Sequence, residues 1–207
     1  MRVILKKDLL IVAPTDEGDE SHIAEWKSQH PGYHFQAVVE SGSGLVLRSL
    51  GDPRLNQPIN VTSRHPDPHV QLIGNFAATP FILDGVRYAS VESFWQSLKF
   101  ETKTQRLSLA SLPGIEAKRA GQRQPTPNHF FYGGNAIPTG SLAHWALMAR
   151  ACTAKFDQNE EARQALIATF PHPLEHRPKR DSVTIPGFVM ARIWTDIRQR
   201  WLGQASN

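Results

Sequence analysis

The chain has a single cysteine, Cys152, among its 207 residues. One cysteine excludes an intramolecular disulfide, and its place in a helically spaced stretch is typical of a small buried residue rather than a nucleophile. No apolar run approaches the roughly 20 residues that a membrane-spanning helix needs. Charged residues also interrupt the apolar start, which argues against a signal peptide. We therefore expect a cytoplasmic protein without a membrane partner.

Patterns of the common metal and nucleotide sites are also missing. The histidines at 65, 69, 172 and 176 lie among prolines, without the helical setting or the cysteine partners of a zinc site. The Gly133-Gly134 turn lacks the Lys-Ser/Thr end of a phosphate-binding P-loop. No internal repeat or low-complexity tract is present. We expect neither a metal nor another cofactor.

The composition allows one soluble, enzyme-sized unit. A hydrophobic content of 40% can form a core for one domain with a substantial extension. The net charge is +4, and the pI is about 9.4. This mild basicity is compatible with nucleic acid or phosphorylated substrates, but it is too small to require either.

Hydrophobic patterning divides the chain into two parts. The pattern of residues 1–71 predicts a β-α-β-β extension, with strands at 9–13, 35–39 and 45–47 and a helix at 20–29. A Pro-rich connection follows at 52–69. Residues 72–207 form the second part, in which helices are expected at about 90–103, 113–122, 141–156, 158–169 and 188–202. We thus predict an α+β, mostly helical fold with a small N-terminal β-rich layer, which packs with the helices as one cooperative unit.

Residues 88–100 have the spacing of an amphipathic helix. At about 100° per residue its apolar face holds Val91, Phe94, Trp95 and Leu98. A narrow polar stripe at the edge of that face holds Glu92, Gln96, Lys99 and Lys103. A carboxyl and an amine at the rim of an apolar face are partly desolvated, so their pKa values move toward neutrality, as acid–base and amine chemistry require. A boundary stripe whose lysine stems cover the core also fits this spacing.

This helix lies in a segment, residues 72–100, that resembles the opening signature of the NADAR superfamily, also called YbiA-like. The matching elements are Asn75-Phe76, Pro80, Asp84-Gly85, Glu92 and the Q-x-x-K-F element from Gln96 to Phe100. Downstream, the family's A-x-R-x-G element and its helical W, M, K-F and L-x-x-T positions are matched by Ala117, Arg119, Gly121, Trp145, Met148, Lys155, Phe156, Leu166 and Thr169. The resemblance covers about residues 72–181.

The resemblance implies an N-glycosidase that acts on ribosides. Its substrate would be ADP-ribosylated guanine in nucleic acid or a phosphorylated, nucleoside-like intermediate of the riboflavin pathway. Cleavage of a C1′–N bond builds positive charge on the sugar and negative charge on the base, and Glu92 is the candidate carboxyl for either charge. Lys99 is the candidate amine for a Schiff base with a ring-opened ribose. Lys103, one turn further on, would lower the pKa of Lys99 by like-charge repulsion if both face the pocket.

The other matched positions are interpreted as substrate-binding. Arg119 has the forked guanidinium that suits a phosphate or pyrophosphate, although a surface ion pair is equally consistent. Asn75 offers an amide to a base edge or ribose hydroxyl, and Phe76 a stacking face, although such a pair is more often a turn followed by a core aromatic. Gln96 and Lys103 complete the polar stripe, and Asp181 is a candidate second carboxylate.

The chain departs from the family pattern at its last element. Where the family has Trp-Gly and a Gly-rich stretch, residues 181–192 contain no such loop, so the last pocket wall must be built differently. Ile73, Gly74 and Ser93 also replace usual family residues. We favour ADP-ribosylated guanine as the substrate. A catalytically idle binder of ADP-ribose or NAD and an interaction protein remain the alternatives.

Overall fold

The computed structural model of this chain describes residues 57–205 continuously. It also describes segments 2–6, 9–13, 35–40 and 44–49 and the single residues 16, 18, 21, 22, 25 and 54. Contacts between Cα atoms divide the chain into two units. The first contains Met1–Pro58, Phe170–Pro173 and Gly203–Asn207, and the second contains Ile59–Thr169 and Leu174–Leu202.

The described part of the first unit contains two antiparallel strand pairs. β1 (Arg2–Lys6) pairs with β2 (Leu9–Ala13), and β3 (Phe35–Glu40) pairs with β4 (Gly44–Ser49). The strands predicted at 9–13, 35–39 and 45–47 are confirmed, including the hairpin. β1 is absent from the sequence prediction, because charged residues bracket its short apolar stretch. Most of the helix predicted at residues 20–29 lies outside the described residues.

Helices dominate the second unit, which confirms the predicted α+β, mostly helical fold. The helices are α1 (Pro68–Ile73), α2 (Val91–Ser97), α3 (Lys103–Ala110), α4 (Gly114–Gly121), α5 (Leu142–Gln158), α6 (Glu160–Ala168) and α7 (Gly187–Ala205). The strands are β5 (Ile59–Asn60), β6 (Phe81–Leu83), β7 (Val86–Tyr88), β8 (His129–Tyr132), β9 (Asn135–Pro138) and β10 (Leu174–Glu175). β5 pairs with β10 in parallel, and the other strands form the hairpins β6–β7 and β8–β9. Thus β5 and α1 occupy part of the predicted Pro-rich connection.

Two-residue turns close both hairpins of this unit. Asp84 and Gly85 have φ values of 48° and 78°, and Gly133 and Gly134 have φ values of 58° and 80°. Positive φ at both central residues is the requirement of a type I′ turn, which glycine meets without strain and which matches the twist of paired strands. The β6–β7 hairpin leads directly into α2.

The helix predicted over residues 90–103 is wrong in its second half. α2 begins with a capping box between Ser90 and Ser93 and ends at Ser97, whose hydroxyl donates to the Phe94 carbonyl at 2.7 Å. A new helix, α3, begins after Thr102, whose Oγ1 accepts from the Gln105 amide. These hydroxyl groups compete with helical backbone pairing and divide the stretch in two. Lys103 therefore lies on a different helix from Lys99.

The hydrophobic core of the second unit fixes the orientation of α2. Val91, Phe94 and Leu98 are buried, and Trp95 is partly buried against the same core. The predicted apolar face is thus confirmed. The largest fully buried apolar side chains around it include Phe81, Met148, Phe156, Leu166 and Trp194. Across the part of the chain that the structure describes, no helix has the length and apolar character needed to cross a bilayer.

Candidate active site

A cleft of about 1030 Å³ lies in the second unit beside α2. Its lining includes six of the residues predicted for the site: Asn75, Phe76, Glu92, Gln96, Lys99 and Arg119. They come from the segment after α1, from α2 and the turn that follows it, and from α4. The packing of these elements thus brings the predicted acid and amine to one cavity.

Glu92 lies in the first turn of α2 and is only 8% exposed. Its backbone amide donates to the Asn75 carbonyl at 2.9 Å, and its Oε1 accepts from Gln96 Nε2 at 2.7 Å. Burial raises the pKa of the Glu92 carboxyl above its ordinary value, against the hydrogen bond from Gln96 and the nearby charges of Lys118 and Lys99. This carboxyl can therefore hold a proton at higher pH than an exposed glutamate.

Lys99 lies in the turn after α2 and is half-buried. Its Nζ donates to the Gly121 carbonyl at 3.5 Å and lies 5.6 Å from the centre of the Trp95 ring. Burial lowers the pKa of the Lys99 amine, Glu92 raises it and Lys118 lowers it further. The pKa values of the acid and the amine are displaced toward each other, as proton transfer and amine attack near neutral pH require.

Lys103 does not reach this cleft. It is exposed at the start of α3, because the chain leaves the helical path after Ser97. The like charge that lowers the pKa of Lys99 belongs to Lys118 on α4. The Lys118 amine lies 5.0 Å from the centre of the Phe76 ring at the cleft wall. Sequence spacing along α2 could not identify Lys118, because the contact depends on the packing of α2 against α4.

Asp181 is not among the cleft-lining residues and has a structural role in the chain. The Asp181 side chain is exposed, and its Oδ1 accepts from the amides of Ser182 at 2.8 Å and Gly187 at 2.9 Å. These bonds hold the turn that leads into α7. Because its carboxylate is engaged by backbone amides and lies outside the lining, the interpretation of Asp181 as a second pocket carboxylate is corrected.

Two glycines let α4 pack closely against the cleft wall. A Cβ on Gly114 would lie 2.7 Å from the Phe76 carbonyl oxygen, and one on Gly121 would lie 2.0 Å from Gln96 Oε1. A side chain at Gly114 would collide with the backbone of Phe76, and one at Gly121 would displace the Gln96 side chain. The position of α4 determines where Lys118, which is partly buried, and Arg119, which is exposed, line the cavity.

Lys155 anchors the backbone segment that leads to Asn75 in the cleft wall. This buried lysine on α5 donates from Nζ to the carbonyls of Leu72, Ile73 and Gly74 at 2.6, 3.0 and 2.8 Å. Burial lowers the pKa of Lys155 to about 7, whereas the three carbonyls favour the protonated form, which alone has three N–H donors. These bonds bind the end of α1 and fix the segment that carries Asn75.

Residues 176–185 form the wall that the sequence left unassigned. They follow β10, and the residues of this segment that line the cleft are His176, Arg177, Pro178, Lys179, Arg180, Ser182, Thr184 and Ile185. His176 Nδ1 is 2.7 Å from the Val61 carbonyl, and Trp145 Nε1 donates to the Thr184 carbonyl at 2.8 Å. The segment is thus fastened to β5 at one end and to α5 at the other.

The charge of the cleft is strongly one-sided. One acidic side chain, that of Glu92, lines it, together with seven basic ones: Arg64, Lys99, Lys118, Arg119, Arg177, Lys179 and Arg180. The lining residues thus carry a formal excess of six positive charges, whereas the whole chain has a net charge of +4. The residues outside the lining therefore have a small negative net charge. Overall composition concealed this segregation, because it averages a basic cleft with an acidic remainder.

Comparisons with known proteins cover the region that forms the cleft. A family model described as bacteriophage protein GP30.3 matches residues 69–185. The 17.1 kDa protein of the Gp30-rIII intergenic region of Enterobacteria phage T4 is 30% identical over 107 residues, which are 50% of this chain and 70% of that protein. N-glycosidase YbiA of Shigella boydii serotype 4 (strain Sb227) is 29% identical over 110 residues, which are 52% of this chain and 63% of that protein.

The fold also has a solved relative. The NMR structure of the E. coli protein YbiA superimposes with a TM-score of 0.54 at 22% identity, and the match covers 72% of this chain and 87% of that chain. The family model alone spans more than half of the present sequence. The chain therefore belongs to the bacteriophage protein GP30.3 family, and the predicted resemblance to YbiA-like proteins is confirmed.

Proposed function

We propose that this protein is an N-glycosidase that cleaves the bond between C1′ of a ribosyl group and a base nitrogen. We further propose that its substrate is guanine carrying ADP-ribose in nucleic acid. The observation that carries the proposal is that Glu92 and Lys99 line one cleft with pKa values displaced toward each other. The name of the Shigella relative, an N-glycosidase, supports the same reaction class.

In the proposed reaction the neutral amine of Lys99 attacks C1′, and the C1′–N bond breaks. The bonding electron pair leaves with the base, and the protonated carboxyl of Glu92 supplies a proton to the departing nitrogen. The ribosyl-lysine then opens to a Schiff base as the ring oxygen takes up the proton that the amine loses. Water adds to C1′, and the proton released as the sugar aldehyde and the free amine separate returns to the Glu92 carboxylate, so the net reaction is hydrolysis.

The two cations of α4 are suited to the rest of such a substrate. Arg119 is exposed at the cleft and has no ion-pair partner within residues 57–205, so its planar guanidinium is available to two phosphate oxygens. Lys118 can neutralise the same pyrophosphate while it holds the pKa of Lys99 low. A substrate with both a riboside and a pyrophosphate would thus use both parts of the cleft.

Product analysis with borohydride trapping tests the proposal. The protein is incubated with an ADP-ribosylated guanine oligonucleotide and, separately, with a phosphorylated riboflavin intermediate, and the products are identified by mass spectrometry. Reduction during turnover should attach the sugar covalently to Lys99. Lys99→Ala should lose both adduct and turnover, whereas Lys103→Ala, which changes an exposed lysine outside the cleft, should retain both.

Three other outcomes would each change a different part of the proposal. Full activity of Lys99→Ala would remove the covalent step. Cleavage of the riboflavin intermediate alone would replace the substrate and leave the glycosidase reaction in place. Tight binding of ADP-ribose without cleavage of either substrate would indicate a binding module and contradict the enzymatic proposal.

A further inference from the structure

Three exposed cations at the cleft have no role in the proposed chemistry. They are Arg64, Lys179 and Arg180, which we call the basic rim. Within residues 57–205 no carboxylate forms an ion pair with any of them. Exposed arginines elsewhere in the same unit do form ion pairs: Arg150 with Asp84, Arg192 with Asp196 and Arg200 with Asp157. Arg87, Lys103 and Arg123 are also exposed without an ion pair among the described residues, so the rim differs from them by its position at the cleft.

The backbone that carries the rim is held in place by paired strands. β5 and β10 run in parallel, so the segments that carry Arg64 and Arg180 both start from the carboxyl end of this strand pair. Asn60 at the end of β5 accepts from the Arg177 amide through Oδ1 at 2.8 Å and donates to the Arg177 carbonyl through Nδ2 at 3.3 Å. The Arg177 side chain bonds Glu175 at 2.7 Å and is thereby occupied. The remaining cations are presented to solvent from an anchored backbone.

A single small anion does not need this arrangement. Lys118 and Arg119 already provide cations for a pyrophosphate inside the cleft. Several separate, unpaired cations at the mouth match a ligand whose negative charges repeat along its length, as in a sugar–phosphate backbone.

We propose that the basic rim binds the phosphates of a single-stranded polynucleotide and so delivers an attached, modified base to Glu92 and Lys99. A single strand is favoured because a base must leave its stack before a cleft of this kind can enclose it, and an unpaired base leaves at the lowest cost. The inference deepens the proposed function and rests on it for the fate of the base. Backbone binding itself requires no turnover and can be measured separately.

Fluorescence anisotropy of an unmodified, labelled single-stranded oligonucleotide tests the rim directly. The dissociation constant is measured against salt concentration for the full chain, for Arg64→Gln/Arg180→Gln and for the control Arg87→Gln/Arg150→Gln. The control removes two exposed charges that do not line the cleft. Each lost phosphate contact lowers the slope of log K against log salt by about 0.7, so the rim variant should lose about 1.4 and the control nothing. Equal slopes for the two variants would overturn the proposal, as would equally effective competition by polyglutamate.

Turnover separates this inference from the proposed function. With an ADP-ribosylated oligonucleotide the rim variant should raise KM and leave kcat unchanged, and with a mononucleoside adduct it should change neither. If neither adduct is cleaved but the salt slope still falls in the rim variant, the proposed function fails and the rim stands. If both adducts are cleaved and the rim variant changes neither KM nor the salt slope, phosphate binding by the basic rim is contradicted and the proposed glycosidase activity still holds.

Discussion

Gln96 Oε1 occupies the space that a side chain on Gly121 would need, since a Cβ there would lie 2.0 Å from this oxygen. The other end of the same amide donates to Glu92 at 2.7 Å. The Gly121 carbonyl in turn accepts from Lys99. One glycine of α4 thus contacts both the residue that holds the candidate acid and the candidate amine.

Gly121→Ala should disturb the site through this contact. The added methyl group must displace Gln96, which removes the hydrogen bond to Glu92 and costs about 1–3 kcal/mol of unfolding free energy. The value of kcat/KM should fall at the same time. Gly203→Ala is the matched control, because no atom lies within 4 Å of a Cβ at this position of α7, and it should stabilise the protein by about 0.5–1 kcal/mol. Urea unfolding of both variants checks the prediction, and equal stabilities would contradict it.

Glu92→Gln should remove a pH dependence of stability. The pKa of the buried carboxyl is raised above its ordinary value of 4.5, so the unfolded state ionises first as pH rises. The wild-type unfolding free energy should therefore decrease from about pH 4.5 up to the raised pKa of the folded state, and the variant should lack this decrease. Turnover should fall by roughly 10²-fold or more. A wild-type-minus-variant difference that is constant with pH would refute the shift.

Lys118→Gln should move the pH dependence of turnover. Lys118 lowers the pKa of Lys99, so its removal raises that pKa and reduces the fraction of neutral amine. The alkaline rise of kcat/KM should shift to higher pH, with low activity near neutrality that recovers as pH increases. Lys103→Gln, on the exposed start of α3, should leave the profile in place. If Lys103→Gln moves the profile and Lys118→Gln does not, the assignment of the like charge is wrong.

Lys155→Met should destabilise the protein and weaken substrate binding. The substitution preserves much of the side-chain volume but leaves three carbonyls at the end of α1 without their donor, which should cost about 3 kcal/mol or more. The loosened segment carries Asn75, so KM should rise more than kcat falls. Denaturant unfolding and steady-state kinetics measure the two effects. Lys103→Met, at an exposed site, should change stability by no more than about 0.5 kcal/mol.

The local sequence predicted the features that depend on short-range order. Apolar spacing identified the buried face of α2, because helical geometry alone determines which of its side chains share a side. The same spacing failed beyond Ser97, because a hydroxyl bonded to the preceding turn and the cap at Thr102 end one helix and begin another. Helical spacing therefore predicts Lys103 in the polar stripe of α2, although Lys103 lies on α3.

The sequence by itself determined the family signature, the mostly helical α+β class and six residues that line the cleft, since these follow from residue types at fixed short spacings. Tertiary structure decided which charges meet. Lys118 reaches the surroundings of Lys99 because Gly114 and Gly121 let α4 approach. Arg64 and Arg180 line the same cleft because β5 pairs with β10. Such contacts join residues far apart in the chain, and electrostatic energy depends on their separation in space rather than on their separation in sequence.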